Sequence, residues 1–194
     1  MSTATPTATP SASHASHAGN LLALSIKAGA EVALFYADAL LKTIPAEQFS
    51  VMPTTAAANG PGRDINSPAF NLGHLAIYPD LRVLPLIGRE DLVRPLPFSA
   101  DLFKAGAPCV NTPGAYPSKD VIVNTFLSRY RAAIDAVAEA SGEQLAKENP
   151  MEGRMKEMFP TVGGAVNFLL VGHTQSHLGQ ISVWRRVMGL GSAF

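Results

Sequence analysis

Hydrophobic residues recur at steps of three and four along four stretches of this chain, which is the spacing of an amphipathic helix. Three of these stretches cover about residues 20–43, 118–140 and 161–188, and another begins at Ser67. Alternation with a period of two, which marks a strand, is nearly absent. The pattern therefore predicts an all-α fold that contains four helices.

The same pattern predicts which face of each helix is buried. The stripe of the first helix consists of Leu21, Leu24, Ala28, Val32, Phe35, Ala39 and Leu40. The broad face of the fourth helix consists of Val162, Val166, Leu169, His173, His177, Gln180, Trp184 and Val187. We expect both faces to point into the space between helices.

Proline complicates the second helix. Ser67 and Pro68 supply an N-cap side chain and the fixed φ of a first helical residue. Pro79 and Pro85 then lie inside the helical pattern, where a proline removes a backbone hydrogen bond and clashes with the preceding turn. We therefore expect a kink or break near Tyr78, followed by a short helical piece.

The connection over residues 88–117 is long and rich in proline. It is too long for a tight turn between antiparallel neighbours. A crossover along a bundle accounts for it better, so we predict a four-helix bundle with a long crossover between helices 2 and 3.

Composition limits the range of partners. The chain is 47% hydrophobic and 15% charged, with 15 basic and 15 acidic residues. Zero net charge gives no reason to expect nucleic acid or an anionic membrane as a partner, and no apolar run reaches the roughly 18 residues of a membrane span. Cys109 is the single cysteine, so we expect no internal disulfide and a cytoplasmic location. The high apolar fraction suits a homodimer that buries a helix face.

The beginning of the sequence differs from the rest. Residues 1–18 are a low-complexity run of Ser, Thr, Ala, Pro and His, for which we predict a disordered tail. Residues 19–194 then form one domain, long enough to bury a core. His14 and His17 lie in the tail, where nothing would fix the geometry of a metal contact, so we interpret them as solvated.

Three of the five histidines lie on apolar helix faces. His173 and His177 are four residues apart, which stacks their imidazoles about one turn apart on the same face. His74 lies on the apolar face of the second helix. Each of them alone is more often a hydrogen-bonded core residue than a ligand. Together they favour a metal site between helices, because a shared cation offsets the cost of burying three imidazoles.

Three neutral imidazoles leave a coordination position open for water or substrate, as in catalytic zinc sites. We expect one divalent metal ion per chain, with zinc or nickel ahead of iron, cobalt or copper. Asn71 and Gln180 each lie near one turn from a histidine and either contact a bound ligand or fill a polar gap. No general base stands out, since Glu31 is interpreted as flanking the first stripe at the solvent boundary.

The segments that carry these histidines resemble the DinB/YfiT-like family of four-helix proteins. The matching sequences are Asn71-Leu-Gly-His-Leu, His173-Thr-Gln-Ser-His-Leu-Gly-Gln-Ile181, Ser182-Val-Trp-Arg-Arg-Val-Met-Gly189, Ala115-Tyr-Pro-Ser118 and Phe159-Pro-Thr-Val162. The resemblance covers about residues 20–190. It implies that His74, His173 and His177 bind a divalent metal.

The resemblance also implies a class of chemistry, because characterised relatives include enzymes that join low-molecular-weight thiols to electrophiles and a thiol-dependent isomerase. By analogy this chain would be a metal-dependent thiol S-transferase with a thiol and a second small molecule as substrates. Arg185 and Arg186 would then either bind the carboxylates of the thiol or simply stabilise a helix C-terminus. Two alternatives stay open: a hydrolase that uses a metal-bound water, and a non-catalytic homodimeric stress or association protein.

Overall fold

Helices dominate the computed structural model, which describes residues 12–57 and 60–193. Within these ranges the α-helices are α1 (Ala12–Leu41), α2 (Pro68–Tyr78), α3 (Leu84–Leu86), α4 (Lys119–Glu139), α5 (Gly142–Ala146), α6 (Arg154–Met158), α7 (Val162–Asn167) and α8 (His173–Val187). π-Helical turns join α2 to α3 at Pro79–Val83 and α7 to α8 at Phe168–Gly172. The prediction of a predominantly helical fold is therefore confirmed.

The starts of three predicted helices are capped by the side chains of the residues that precede them. Ser67 Oγ accepts a hydrogen bond from the amide of Phe70 at 3.2 Å, and Pro68 is the first helical residue. Ser118 caps α4 and Thr161 caps α7 in the same way. These short polar side chains satisfy amide groups that have no partner within the helix.

The second helical segment is not broken at Tyr78. The chain stays helical through Pro79, and the amide of Leu84 donates to the Pro79 carbonyl five residues earlier, which is the π-helical pattern. This wider turn lies just before Pro85, and it relieves the clash between the Pro85 ring and the turn before it without ending the helix. The short helical piece expected after it is α3.

The face of α1 that the hydrophobic stripe predicts to be buried is largely exposed. Leu21, Leu24, Val32 and Phe35 lie on the solvent side. The buried face consists of Ala23, Ile26, Ala30, Ala33, Ala37 and Leu40. The many alanines let α1 approach its neighbours closely, so it packs with its smallest side chains rather than its largest. The helix also begins at Ala12 rather than near Asn20.

The loop between the first two helical segments contains a hairpin that the sequence pattern does not predict. Strands β1 (Thr54–Ala57) and β2 (Gly60–Asp64) pair antiparallel, with Thr54 opposite Asp64. β2 reads Gly-Pro-Gly-Arg-Asp, which lacks the β-branched and aromatic residues that mark a strand.

Contacts among the longest helices define the core. α1 and α2 each pack on both α4 and α8. The largest fully buried side chains include Trp184 of α8, Tyr130 and Phe126 of α4, and Phe103 from the long connection. In the described ranges no helix is both long enough and apolar enough to span a membrane. The disordered tail predicted over residues 1–18 stays a prediction for residues 1–11, which lie outside the described ranges, whereas residues 12–18 belong to α1.

Candidate metal centre

The structure brings together His74 of α2 and His173 and His177 of α8. One ring nitrogen from each of the three lies within 4.8 Å of the other two. The ring centroids are 5.1 Å apart for His74 and His173 and 4.7 Å apart for each of the other pairs. His74 is buried and the other two are half-buried. The three side chains thus form one cluster between α2 and α8.

The two π-helical turns lie beside this cluster and contact each other. His173 directly follows the turn Phe168–Gly172. The Thr174 hydroxyl donates to the carbonyl of Leu169, five residues earlier, and it accepts a hydrogen bond from the buried Tyr130 hydroxyl at 2.8 Å. These bonds hold the start of α8 against α4, and so they place His173. π-Helical turns are frequent at functional sites.

His74 has its tautomer fixed by the backbone. Its Nδ1 lies 2.6 Å from the carbonyl oxygen of Phe103, which is in the long connection before α4. A carbonyl oxygen only accepts hydrogen bonds, so Nδ1 carries the proton and donates it. The lone pair of Nε2 is then available toward the cluster.

His177 has its tautomer fixed by a side chain. Its Nδ1 lies 2.9 Å from Oδ1 of Asn71, which is fully buried in α2. The orientation of the Asn71 amide is itself determined, because Nδ2 donates to the carbonyls of Asn66 and Ser67, each at 3.2 Å. Oδ1 therefore faces His177 and accepts its Nδ1 proton, which leaves Nε2 free as a ligand atom.

His173 differs from the other two. Its Nε2 lies 3.2 Å from Nε2 of His74, and its buried Nδ1 has no hydrogen-bond partner among the described residues. Because His74 carries its proton on Nδ1, a hydrogen bond between the Nε2 atoms requires His173 to be the donor. The rings of Tyr78 and Phe168 flank His173, with centroids at 5.0 and 5.6 Å.

The distance between two of the ring nitrogens fits a shared divalent cation, and the third lies within 4.8 Å of both. Tetrahedral zinc with bonds of about 2.0–2.1 Å separates its nitrogen ligands by roughly 3.3 Å. The Nε2 atoms of His74 and His173 are 3.2 Å apart. Without a cation, the short distance between these two Nε2 atoms requires one of them to carry a proton. A cation bound between them would take the place of that proton, and both nitrogens could then act as ligands.

The electrostatics of the cluster also fit. Burial, reinforced by the neighbouring histidines, lowers the pKa of His173 to about 4 and that of His177 to about 3. Burial also lowers the pKa of His74, against the opposing effect of its hydrogen bond to Phe103. All three imidazoles are therefore neutral near pH 7, which is the protonation state that metal binding requires.

The cluster identified among the described residues contains no carboxylate or thiolate beside the three imidazoles. A divalent cation held there would keep its full charge, because all three protein ligands are neutral. Such a charge favours an anion in the open position and lowers the pKa of a bound thiol or water.

Other candidates from the sequence lie away from the cluster. Gln180 is exposed on α8, and Glu31 is exposed beside Lys27. Arg185 is buried, and its Nη1 donates to the Leu40 carbonyl at 2.6 Å, at the end of α1. The contacts of Arg185 therefore favour stabilisation of a helix C-terminus over binding of a thiol's carboxylates. The helix that it stabilises is α1 rather than α8.

Cys109, a further candidate from the sequence, is not part of the cluster. Cys109 is half-buried and lies 3.4 Å from the amide of Ser67. The side chains of His14 and His17 lie outside the part that the structure describes.

Sequence reasoning missed two groups in this region. Tyr78 lies one helical turn after His74, and its ring centroid is 4.9 Å from that of His74. The spacing of four residues could have indicated it. The Phe103 carbonyl has no sequence signal, because backbone atoms are common to all residues and the contact spans 29 positions.

Comparison with known protein families gives a match that spans this site. A family model described as the DinB superfamily matches residues 35–181, a range that includes all three histidines and Asn71. No curated protein and no solved structure matches the chain. Since the family model covers most of the chain, the chain belongs to the DinB superfamily.

Proposed function

We propose that this protein binds one divalent metal ion through Nε2 of His74, His173 and His177, inside a four-helix bundle whose crossover is the connection over residues 88–117. The observation that carries the proposal is that the Nδ1 atoms of His74 and His177 both donate to fixed oxygen acceptors. Metal-binding histidines typically have this arrangement, because it fixes the tautomer and orients the ring. Zinc and nickel are the first candidates for the ion, and iron, cobalt and copper follow.

We infer that the activity is a thiol S-transfer to a small electrophile. When bound, the ion would lower the pKa of a low-molecular-weight thiol in the open position. The thiol proton leaves to solvent, the sulfur forms a bond to the electrophilic carbon, and the leaving group departs with its electron pair. The three neutral ligands support this reading, because they leave the charge of the ion available to the thiol.

The first experiment measures metal content by elemental analysis of protein purified without a metal-affinity tag. The wild-type protein should contain one metal ion per chain, and the His173→Ala variant should contain almost none. Ser176→Ala is the matched control, since Ser176 is exposed on α8 and its hydroxyl donates only to the Gly172 carbonyl of its own helical turn. Unchanged metal content in His173→Ala would refute the proposed ligand set.

The second experiment separates the possible reactions with the metal-loaded protein. Thiol consumption that requires both the metal and an electrophile supports the transferase. Ester or amide hydrolysis without thiol would instead identify a hydrolase that uses a metal-bound water. Turnover in neither assay would favour an association protein.

A specific observation favours association as a second candidate function. Leu21, Leu24 and Val32 are 68%, 49% and 61% exposed on the outer face of α1. Apolar side chains grouped on one helix face are typical of interaction surfaces. A homodimer through this face should dissociate in a Val32→Lys variant but not in Met158→Lys, where an equally apolar residue is exposed on α6. Sedimentation velocity measures the difference, and a monomeric wild-type protein would refute the homodimer.

A further inference from the structure

Gly73 and Phe103 make an unusually close approach beside the candidate metal centre. A Cβ atom built on Gly73 would lie 2.6 Å from Cζ of Phe103 and still closer to Cδ1 and Cε1. Real Cβ atoms essentially never approach other atoms so closely. The Phe103 ring therefore occupies the space that any other residue at position 73 would fill.

The Phe103 ring has little room to retreat from this position. It is fully buried, and its centroid lies 5.1 Å from Phe98 and 5.5 Å from Tyr116, against which it stacks. Phe70 of α2 lies on another side at 6.5 Å. Since protein cores are close-packed, moving the ring would displace the backbone that carries it.

That same backbone provides the hydrogen-bond acceptor for His74. Phe103 follows the short 3₁₀ turn Ala100–Leu102, and its carbonyl oxygen lies 2.6 Å from Nδ1 of His74. Gly73 and His74 are adjacent in sequence. One residue of the long connection thus places its ring over Gly73 and its carbonyl against the neighbouring imidazole.

We propose that Gly73 and Phe103 are positioning residues of the metal centre. Because Gly73 has no side chain, the Phe103 ring can pack directly against it. The packed ring keeps the Phe103 carbonyl in the position where it accepts the Nδ1 proton of His74 and so fixes that tautomer. The connection over residues 88–117 is then a support of the centre as well as a link between helices. The effect on metal binding rests on the proposed function, but the effect on the tautomer does not.

The chain offers a matched control in Gly179. It lies on α8 two residues after His177, and both Gly73 and Gly179 are helical. A Cβ on Gly179 would meet no neighbouring atom within 4 Å, so the space there is open. Gly→Ala at either position brings the same gain in helix propensity, so a difference between the two variants reports the Phe103 contact.

The test compares Gly73→Ala with Gly179→Ala by two measurements. Imidazole ¹⁵N chemical shifts of the metal-free proteins report the tautomer of His74, and chelator competition gives the Kd for Zn²⁺. We expect Gly73→Ala to lose the single Nδ1–H tautomer and to bind Zn²⁺ roughly 10- to 100-fold more weakly. Gly179→Ala should keep the tautomer and the wild-type Kd.

A second variant keeps the test decisive if Gly73→Ala does not fold. Phe103→Ala removes the ring and keeps the carbonyl, and we expect the same mixed tautomer and weaker Zn²⁺ binding. Phe126→Ala removes an equally buried ring from α4 and should reduce stability without changing the His74 tautomer. Adding Gly73→Ala to Phe103→Ala should have little further effect, because the two changes act on one contact.

Two results would overturn the proposal. One is a folded Gly73→Ala or Phe103→Ala variant that keeps both the wild-type tautomer and the wild-type Kd. The other is full additivity of the two changes in Kd. If the wild-type protein does not bind Zn²⁺ at all, the proposed function fails, and the tautomer of His74 still decides whether Gly73 and Phe103 position it.

Discussion

Replacing Asn71 with alanine is the most informative perturbation of the candidate metal centre that leaves all three histidines in place. Asn71 is fully buried and makes three hydrogen bonds. It accepts the Nδ1 proton of His177 at 2.9 Å and donates to the carbonyls of Asn66 and Ser67 at 3.2 Å each. Alanine removes all three bonds, but only the bond to His177 concerns the metal.

We expect two separate effects of Asn71→Ala, one on stability and one on metal binding. A neutral hydrogen bond contributes about 0.5–1.5 kcal/mol, so three lost bonds should lower the free energy of unfolding by about 3 kcal/mol. Loss of the partner that orients a ligating histidine weakens metal binding roughly 10- to 100-fold. That change corresponds to about 1.4–2.7 kcal/mol of binding free energy.

Asn149 provides the control for this prediction. It is also fully buried, and its Nδ2 donates to the carbonyls of Met155 at 3.3 Å and Phe159 at 2.8 Å, while Oδ1 accepts from the amide of Met151 at 3.0 Å. It contacts none of the three histidines in these bonds. Asn149→Ala should therefore lose comparable stability and keep its Kd for Zn²⁺ within about twofold of the wild type.

The assay combines urea unfolding of the metal-free proteins with chelator competition for Zn²⁺. Asn71→Ala should change both quantities, and Asn149→Ala only the first. The reasoning is refuted if folded Asn71→Ala binds Zn²⁺ as tightly as the wild type. It is equally refuted if Asn149→Ala weakens binding as much as Asn71→Ala does.

Two other predictions follow from the charges of the described residues. The folded-state pKa values of His173 and His177, about 4 and about 3, lie below the unfolded values. The metal-free protein should therefore keep its full free energy of unfolding above about pH 6.5 and lose up to about 2 kcal/mol per histidine by pH 5. The loss should be smaller in His177→Gln. Equal free energies of unfolding in urea at pH 7 and pH 5 would contradict this prediction. Arg129 Nε lies 3.1 Å from Oδ2 of Asp80, whose side chain is only 4% exposed. Arg129→Met should cost about 3 kcal/mol of unfolding free energy, and adding Asp80→Asn should recover part of it, whereas an unchanged urea midpoint would exclude a buried ion pair of this strength.

The approximate position of the site follows from the sequence because helical period and inward direction are linked. His74, His173 and His177 occur among apolar residues at helical steps, so their side chains must point between helices. That places three imidazoles in one interior, and the structure brings them together. The hydrogen bonds that fix their tautomers depend on contacts across 29 and 106 positions, which no local pattern encodes.

The buried face of α1 could not be read from hydrophobicity, because two opposed faces of this helix are apolar. One carries leucine, valine and phenylalanine, and the other carries alanines. A hydrophobicity pattern assigns the face with the larger apolar side chains to the core, whereas close packing between helices favours the face with the smaller ones. The π-helical turn at Pro79 was missed for a related reason, since a proline rule predicts a disturbance but not the form in which the helix absorbs it.

The three histidines of the site differ in how firmly hydrogen bonds hold their rings. His74 is on α2 and is held by the connection that follows α3, while His177 on α8 is held by Asn71 of α2. His173 has no such acceptor among the described residues, so its position depends on the π-helical turn before it and on the bond of Thr174 to Tyr130. A ligand whose outer nitrogen is unpartnered is less basic and less firmly oriented than one with a hydrogen-bond acceptor. In the proposed metal centre, His173 would therefore be the ligand whose position adjusts most easily when a substrate enters the open coordination position.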